Sequence, residues 1–158
     1  MQEKQAQDDL KQAKLKALSL LTDMDRTETQ LRQKLKQKSY DDDVVEQAIE
    51  YVKSFGYIDD AKYARRFVEN RKKTKSRQEI SAMLSQKGLS REIITEALEI
   101  CYRSEDAVEA IRYLVEKKHY SPEESTEKEK KKIYDYLIRK GFYYEDIRQV
   151  IQVSFQNA

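Results

Sequence analysis

Residues 80–98 read ISAMLSQKGLSREIITEAL. Ile80 and Leu84 lie one helical turn apart. Lys87-Gly88 follow, and then Ile93, Ile94, Ala97, Leu98 and Cys101 recur with a period of 3.6 residues. The pattern predicts a striped helix, a stop and a second striped helix. Each part of the stop has a physical cause. A cation near a helix C-terminus suits the helix dipole. Glycine takes the left-handed conformation that closes a helix at little steric cost. Ahead of the stretch, Ser76 with Glu79 matches the reciprocal capping pattern that opens a helix.

The same text occurs twice more without a gap: LRQKLKQKSYDDDVVEQAI at 31–49 and IYDYLIRKGFYYEDIRQVI at 133–151. Leu31, Ile80 and Ile133 fall in register, as do Leu35, Leu84 and Leu137, and Lys38, Lys87 and Lys140. Ser39, Gly88 and Gly141 follow, and the register closes on Ile49, Leu98 and Ile151. Repetition at this period marks stacked helical units. Ser39 departs from glycine, which predicts a less favourable turn in the first unit.

A third helix is expected after at least two of these pairs. One runs over about 59–72, with Ala61, Ala64, Phe67 and Val68 inward. The other runs over about 105–118, with Ala107, Ala110, Ile111 and Leu114 inward. A leading helix over about 6–22 places Leu10, Ala13, Ala17, Leu18 and Leu21 on one face. Thr27 with Gln30 gives another capping pattern, and Ser121-Pro122 with Glu124 gives a third start. The expected fold is all-α, an elongated array of tandem three-helix units. The leading helix takes 1–25, and the units take 26–74, 75–121 and 122–158.

Composition agrees. Apolar residues make up 39% and charged residues 38% of 158, which leaves little for one deep core. Three glycines and one proline leave few tight turns, and no run alternates with period two. No stretch is long and apolar enough for a membrane span, and the polar N-terminus lacks a signal-peptide centre. The single Cys101 cannot form an internal disulfide, which fits a cytosolic protein. The net charge of +2 hides strong segregation. Residues 39–60 carry seven acids and one base, whereas residues 61–78 carry eight bases and one acid.

That basic run supplies the sharpest candidate site: Arg65, Arg66, Arg71, Lys72, Lys73, Lys75 and Arg77. These side chains can meet phosphates or an acidic partner surface, or simply solvate a helix end. Lys131, Lys132, Arg139 and Lys140 repeat the theme, diluted by Glu127 and Glu129. Tyr134, Tyr136, Tyr143 and Tyr144 lie near this second cluster. They can stack on unpaired bases, although packing is the favoured reading. Asp59 and Asp60 open a helix and read as caps. Cys101 on an apolar stripe reads as a buried thiol, and His119 as a surface residue. The glycines are isolated, so no phosphate loop is present, and one histidine with one cysteine cannot build a zinc site or a Cys–His dyad. No catalysis, cofactor or metal is expected.

The chain resembles the RecX family of regulators of the RecA recombinase. The resemblance is carried by Arg26-Thr27 before Gln30-Leu31, FGYIDDAKYARRFVENR at 55–71, QKGLSREIITEAL at 86–98 and YLIRKGFYYEDIRQVI at 136–151, and it covers about residues 17–155. Two departures stand out: the first Lys-Gly turn is Lys38-Ser39, and the loop KKTKSRQ at 72–78 has no glycine. Family members often carry more residues ahead of the helical units, so a shorter member or a piece of one is expected. The resemblance implies tandem three-helix repeats. It also implies binding along the groove of a RecA filament on single-stranded DNA, with ATP hydrolysis and strand exchange restrained; the chain itself is expected to be a monomer. Two other functions remain open. A stand-alone helical DNA-binding module predicts tight, salt-sensitive binding to bare DNA. A scaffold for an unrelated partner predicts no effect on a recombinase.

Overall fold

The computed structural model describes residues 1–121 and 123–152. They form helices α1 (Gln2–Asp23), α2 (Glu28–Lys36), α3 (Asp42–Ser54), α4 (Asp60–Arg71), α5 (Arg77–Gln86), α6 (Arg91–Cys101), α7 (Ser104–Lys117), α8 (Glu127–Arg139) and α9 (Tyr144–Arg148), with no strand among the described residues. None of these helices is long and apolar enough to cross a membrane.

Helix α1 lies along α3, α4 along α6, and α7 against α9, each trio completed by α2, α5 or α8. The helix that trails a repeated pair in sequence thus packs as the leading helix of the next trio. Leu31, Leu35, Val45, Ile49 and Val52 close on Ala13 and Ala17, whose small side chains let α1 approach. The other two trios share one continuous core. It runs from Ala64, Val68, Ile80 and Leu84 through Ala110, Ile111 and Leu114 to Ile133, Leu137 and Ile147. Burial of each such Leu or Ile contributes roughly 2 kcal/mol.

Two of the expected starts form as reciprocal caps. Thr27 Oγ1 accepts from the Gln30 N–H at 3.1 Å and Gln30 accepts from the Thr27 N–H at 3.1 Å. Ser76 and Glu79 do the same at 3.0 and 3.1 Å. The third start differs. Pro122 lies outside the described residues, and α8 begins at Glu127 behind Thr126, whose Oγ1 accepts from the Glu129 N–H at 3.2 Å. Ala61 and Phe67 are half-buried rather than core, because α4 turns only Ala64 and Val68 fully inward.

The trios meet through a joint that occurs twice. Thr27, 0% exposed, donates its hydroxyl to the Lys87 carbonyl at 2.7 Å, and Thr29 donates to the Gly88 carbonyl at 3.0 Å. Ser76, 1% exposed, donates to the Lys140 carbonyl in the same way. A capping hydroxyl thus satisfies two tasks, one inside its own helix and one on the last turn of the next trio. The glycine after each lysine adopts φ +83° at Gly88 and +97° at Gly141, and lies directly under Thr29 or Gln78.

The first joint carries an extra contact that capping logic does not foresee. Asp60 accepts the Glu28 N–H at 2.9 Å, closing a donor at the start of α2 from a neighbouring trio. Burial pushes the Asp60 carboxyl above its ordinary range, with the Glu28 N–H opposing. The folded chain therefore holds this proton to higher pH than the unfolded chain does, so the group's contribution falls as pH rises above its ordinary 3.8. Asp60→Asn retains the acceptor without the charge. Thermal unfolding should find the variant matched to its parent at pH 4 and more stable at pH 7. A variant weaker at pH 7 would show that the charge itself holds the joint.

Candidate partner and nucleic-acid interface

The basic run is divided by its surroundings. Lys72, at the end of α4, places Nζ 3.1 Å from Glu69 and 3.6 Å from Asp106, and donates to the Cys101 carbonyl at 3.2 Å. Burial works against its charge, but Glu69 and Asp106 outweigh it and hold the ammonium above its ordinary pKa. Arg77 Nη1 donates to the Tyr102 carbonyl at 2.9 Å and the Leu98 carbonyl at 3.4 Å. These two cations therefore cap the C-terminal end of α6, where carbonyls lack helical partners. Between them, the Lys75 carbonyl accepts the Tyr102 hydroxyl at 2.9 Å, and Lys75 Nζ lies 4.0 Å from Glu79. Burial pushes the Tyr102 phenol far above its ordinary value, so it remains a donor.

The rest of the run faces outward. Arg66 meets Asp25 at 3.1 Å in an exposed pair, a geometry worth little. Arg71 is exposed and lies 5.2 Å from the Phe67 ring centre, Arg65 is half-buried on α4, and Lys73 is exposed. Among the described residues, Arg65, Arg71 and Lys73 take part in no ion pair.

In the second cluster, Lys131, Lys132 and Arg139 are exposed along α8, whereas Lys140 lies 3.4 Å from Glu79. Lys75 and Lys140, distant in sequence, thus converge on one carboxylate. Tyr134 and Tyr144 meet edge to face at 6.1 Å, and Tyr143 is exposed. Tyr136 is half-buried, with Lys118 Nζ 4.3 Å and Lys140 Nζ 5.3 Å from its ring centre, which is cation–π range.

The structure also adds residues to the sequence-predicted set. At the second joint, Thr74, Lys75, Tyr113, Leu114, Lys117, Lys118, Tyr136 and Lys140 line a cleft of about 540 Å³. At the first joint, Phe67 holds Arg71 on one side and Lys87 at 5.5 Å. Tyr113 and Lys117 stand 46 residues after Phe67 and Arg71, and Lys140 stands 53 after Lys87. Helices α4 and α7 therefore repeat an aromatic ring with a cation one turn later, whereas Lys140, the counterpart of Lys87, lies at Tyr136 rather than at Tyr113. The signal lay in aligning α4 with α7, which a comparison confined to the second and third helices of each trio does not reach.

The other residues weighed have structural roles. Asp59 Oδ1 accepts the Lys62 N–H at 3.0 Å as the cap of α4. Cys101 is buried, and burial pushes its thiol up. His119 is exposed at φ +55°, in the turn after α7.

Three family models match the chain: the first three-helix domain of RecX over residues 13–51, the second over 59–98 and the third over 104–151. The chain is 35% identical over 130 residues to a regulatory protein RecX of Clostridium botulinum, covering 80% of this chain and 61% of that protein. It is 35% identical over 145 residues to one from Caldanaerobacter subterraneus, covering 91% and 71%. The chain thus spans somewhat under two thirds to about 70% of the length of these relatives. A crystal structure of RecX from Lactobacillus salivarius superposes with a TM-score of 0.78 at 28% identity, covering 92% of this chain and 96% of that one.

Proposed function

Because this chain belongs to the RecX family of regulatory proteins, we propose that it binds the filament formed by the RecA recombinase on single-stranded DNA and restrains its ATP hydrolysis and strand exchange. The observation that carries this reading is the repetition of the joint. A body that repeats the same joint, with a ring and a cation one turn apart on α4 and again on α7, suits a filament, whose protomers present the same target repeatedly. Modest contacts at successive protomers then add through effective concentration. Bound there, the chain occludes the groove that must receive duplex DNA.

The action is binding, not catalysis. Asp59 and Asp60 are committed as cap and cross-joint acceptor, and the Cys101 thiol is buried and protonated. The same reading places the protein in the cytosol, as a monomer, beside its recombinase.

The test is RecA ATP hydrolysis on single-stranded DNA, titrated with this protein. Inhibition is expected well below one molecule per RecA, and its absence overturns the filament reading. Lys72 and Arg77 are poor choices for charge reversal, since both cap α6. Arg71→Glu with Lys73→Glu should instead weaken inhibition by about tenfold and flatten its salt dependence. Unchanged inhibition by that variant removes this patch from the contact.

A further inference from the structure

We infer that the cleft at the second joint is a site for the phosphates of a nucleotide, with Tyr113 as the platform for its base. Four ammonium groups, those of Lys75, Lys117, Lys118 and Lys140, line one cleft of about 540 Å³. The nearby carboxylate, Glu79, is already engaged. One oxygen accepts the Ser76 N–H at 3.1 Å, and the other faces Lys140 at 3.4 Å and Lys75 at 4.0 Å. The cleft therefore carries three more positive charges than negative ones. Such crowding is costly in a partly desolvated space and favours a ligand with more than one negative group. Lysines act on phosphate as point charges, so they need no fixed fork geometry.

The rings divide the ligand between them. Tyr136 already has Lys118 and Lys140 at its ring, which makes it the floor of the phosphate end. Tyr113 is 43% exposed, with Lys117 Nζ 5.8 Å from its ring centre, and can take a base against its face. Two other clefts among the described residues are less suited. That between the start of α4 and the α1–α2 turn, lined by Arg26, Lys62 and Arg66, also contains Asp25 and Asp59. That beside His119 and Tyr120 contains Glu129 and Asp135.

Two sources share this chemistry: consecutive phosphates of a single strand, and the polyphosphate of a free nucleoside triphosphate. The test needs no recombinase, so its failure and that of the filament reading are separable. Fluorescence anisotropy follows a short labelled oligothymidine, with ATP and inorganic triphosphate as competitors. Lys117→Glu with Lys118→Glu alters two exposed side chains at the end of α7. Lys4→Glu with Lys11→Glu on α1 gives the same net charge elsewhere. The cleft variant should bind at least about tenfold more weakly and lose about two units of salt slope, with the α1 variant near its parent. Tyr113→Ser should weaken ligands that carry a base by about tenfold and leave inorganic triphosphate unaffected. Competition by both phosphate compounds identifies a free polyphosphate as ligand, and binding of the strand alone identifies consecutive phosphodiesters. Either supports the site. Equal loss in the cleft and α1 variants, or no binding by the parent, overturns it. Unfolding midpoints of all variants confirm that the fold is retained.

Discussion

Gly88→Ala should lower stability by about 3 kcal/mol, an unusual loss for one added methyl. Two costs combine. At φ +83° a side-chain-bearing residue loses about 1–2 kcal/mol. The new Cβ would also stand 2.4 Å from Thr29 Cβ and Cγ2, so helix α2 must move away, which costs about 1–3 kcal/mol. Gly141→Ala should cost less, because Gln78 meets it partly with the far end of a flexible side chain. Ser39 supplies the control. It holds φ +66° in an exposed turn, so Ser39→Gly should gain up to about 1 kcal/mol. Chemical denaturation of the three variants checks the order. Adding Thr29→Gly to Gly88→Ala should recover part of the loss relative to Thr29→Gly alone. A Gly88→Ala variant as stable as its parent would remove close packing from the account of the joint.

Tyr102→Ala should be as damaging, at about 4 kcal/mol by the usual cost of truncating a buried aromatic. Tyr102 is 2% exposed in the core shared by the second and third trios. Tyr102→Phe separates packing from anchoring. It keeps the ring and removes the hydrogen bond to the Lys75 carbonyl, for about 1 kcal/mol. The basic loop is tied to the end of α6 at three points, through Lys72, the Lys75 carbonyl and Arg77. Loss of the middle tie should speed amide hydrogen exchange in residues 73–76 while the helical core stays protected. Unchanged exchange there would mean that Lys72 and Arg77 suffice to hold the loop.

These contacts also show why the fold was easier to read than the interface. Helix periods, caps at Thr27 and Ser76, and the glycine turns are local, and each is written within a few residues. The fate of a cation is not local. Lys72 and Lys73 are neighbours of one type, yet Lys72 is committed to the end of α6 and to Asp106, whereas Lys73 faces solvent. That difference depends on a helix end about thirty residues away. Asp60 read as a cap for the same reason: its partner, the Glu28 N–H, belongs to another trio. Lys117 and Lys118 carry no local signal either: they join a cleft only where the end of α8 brings Tyr136 and Lys140 beside them.

The joint has a further consequence for how copies of the chain can meet. It is a head-to-tail contact between unlike surfaces, and such a contact, if offered at both ends, grows without limit into a fibre. Both halves change at the outer trios. The residue equivalent to Thr27 and Ser76 in the third trio is Glu129, four before Ile133 as they are before Leu31 and Ile80, and it lies inside α8 rather than at its cap. The turn equivalent to Gly88 and Gly141 in the first trio carries the side chain of Ser39 where a bare Cα is required. One extra helical turn and one hydroxymethyl group thus mark the two places, among the described residues, where the pattern that joins the trios is not repeated.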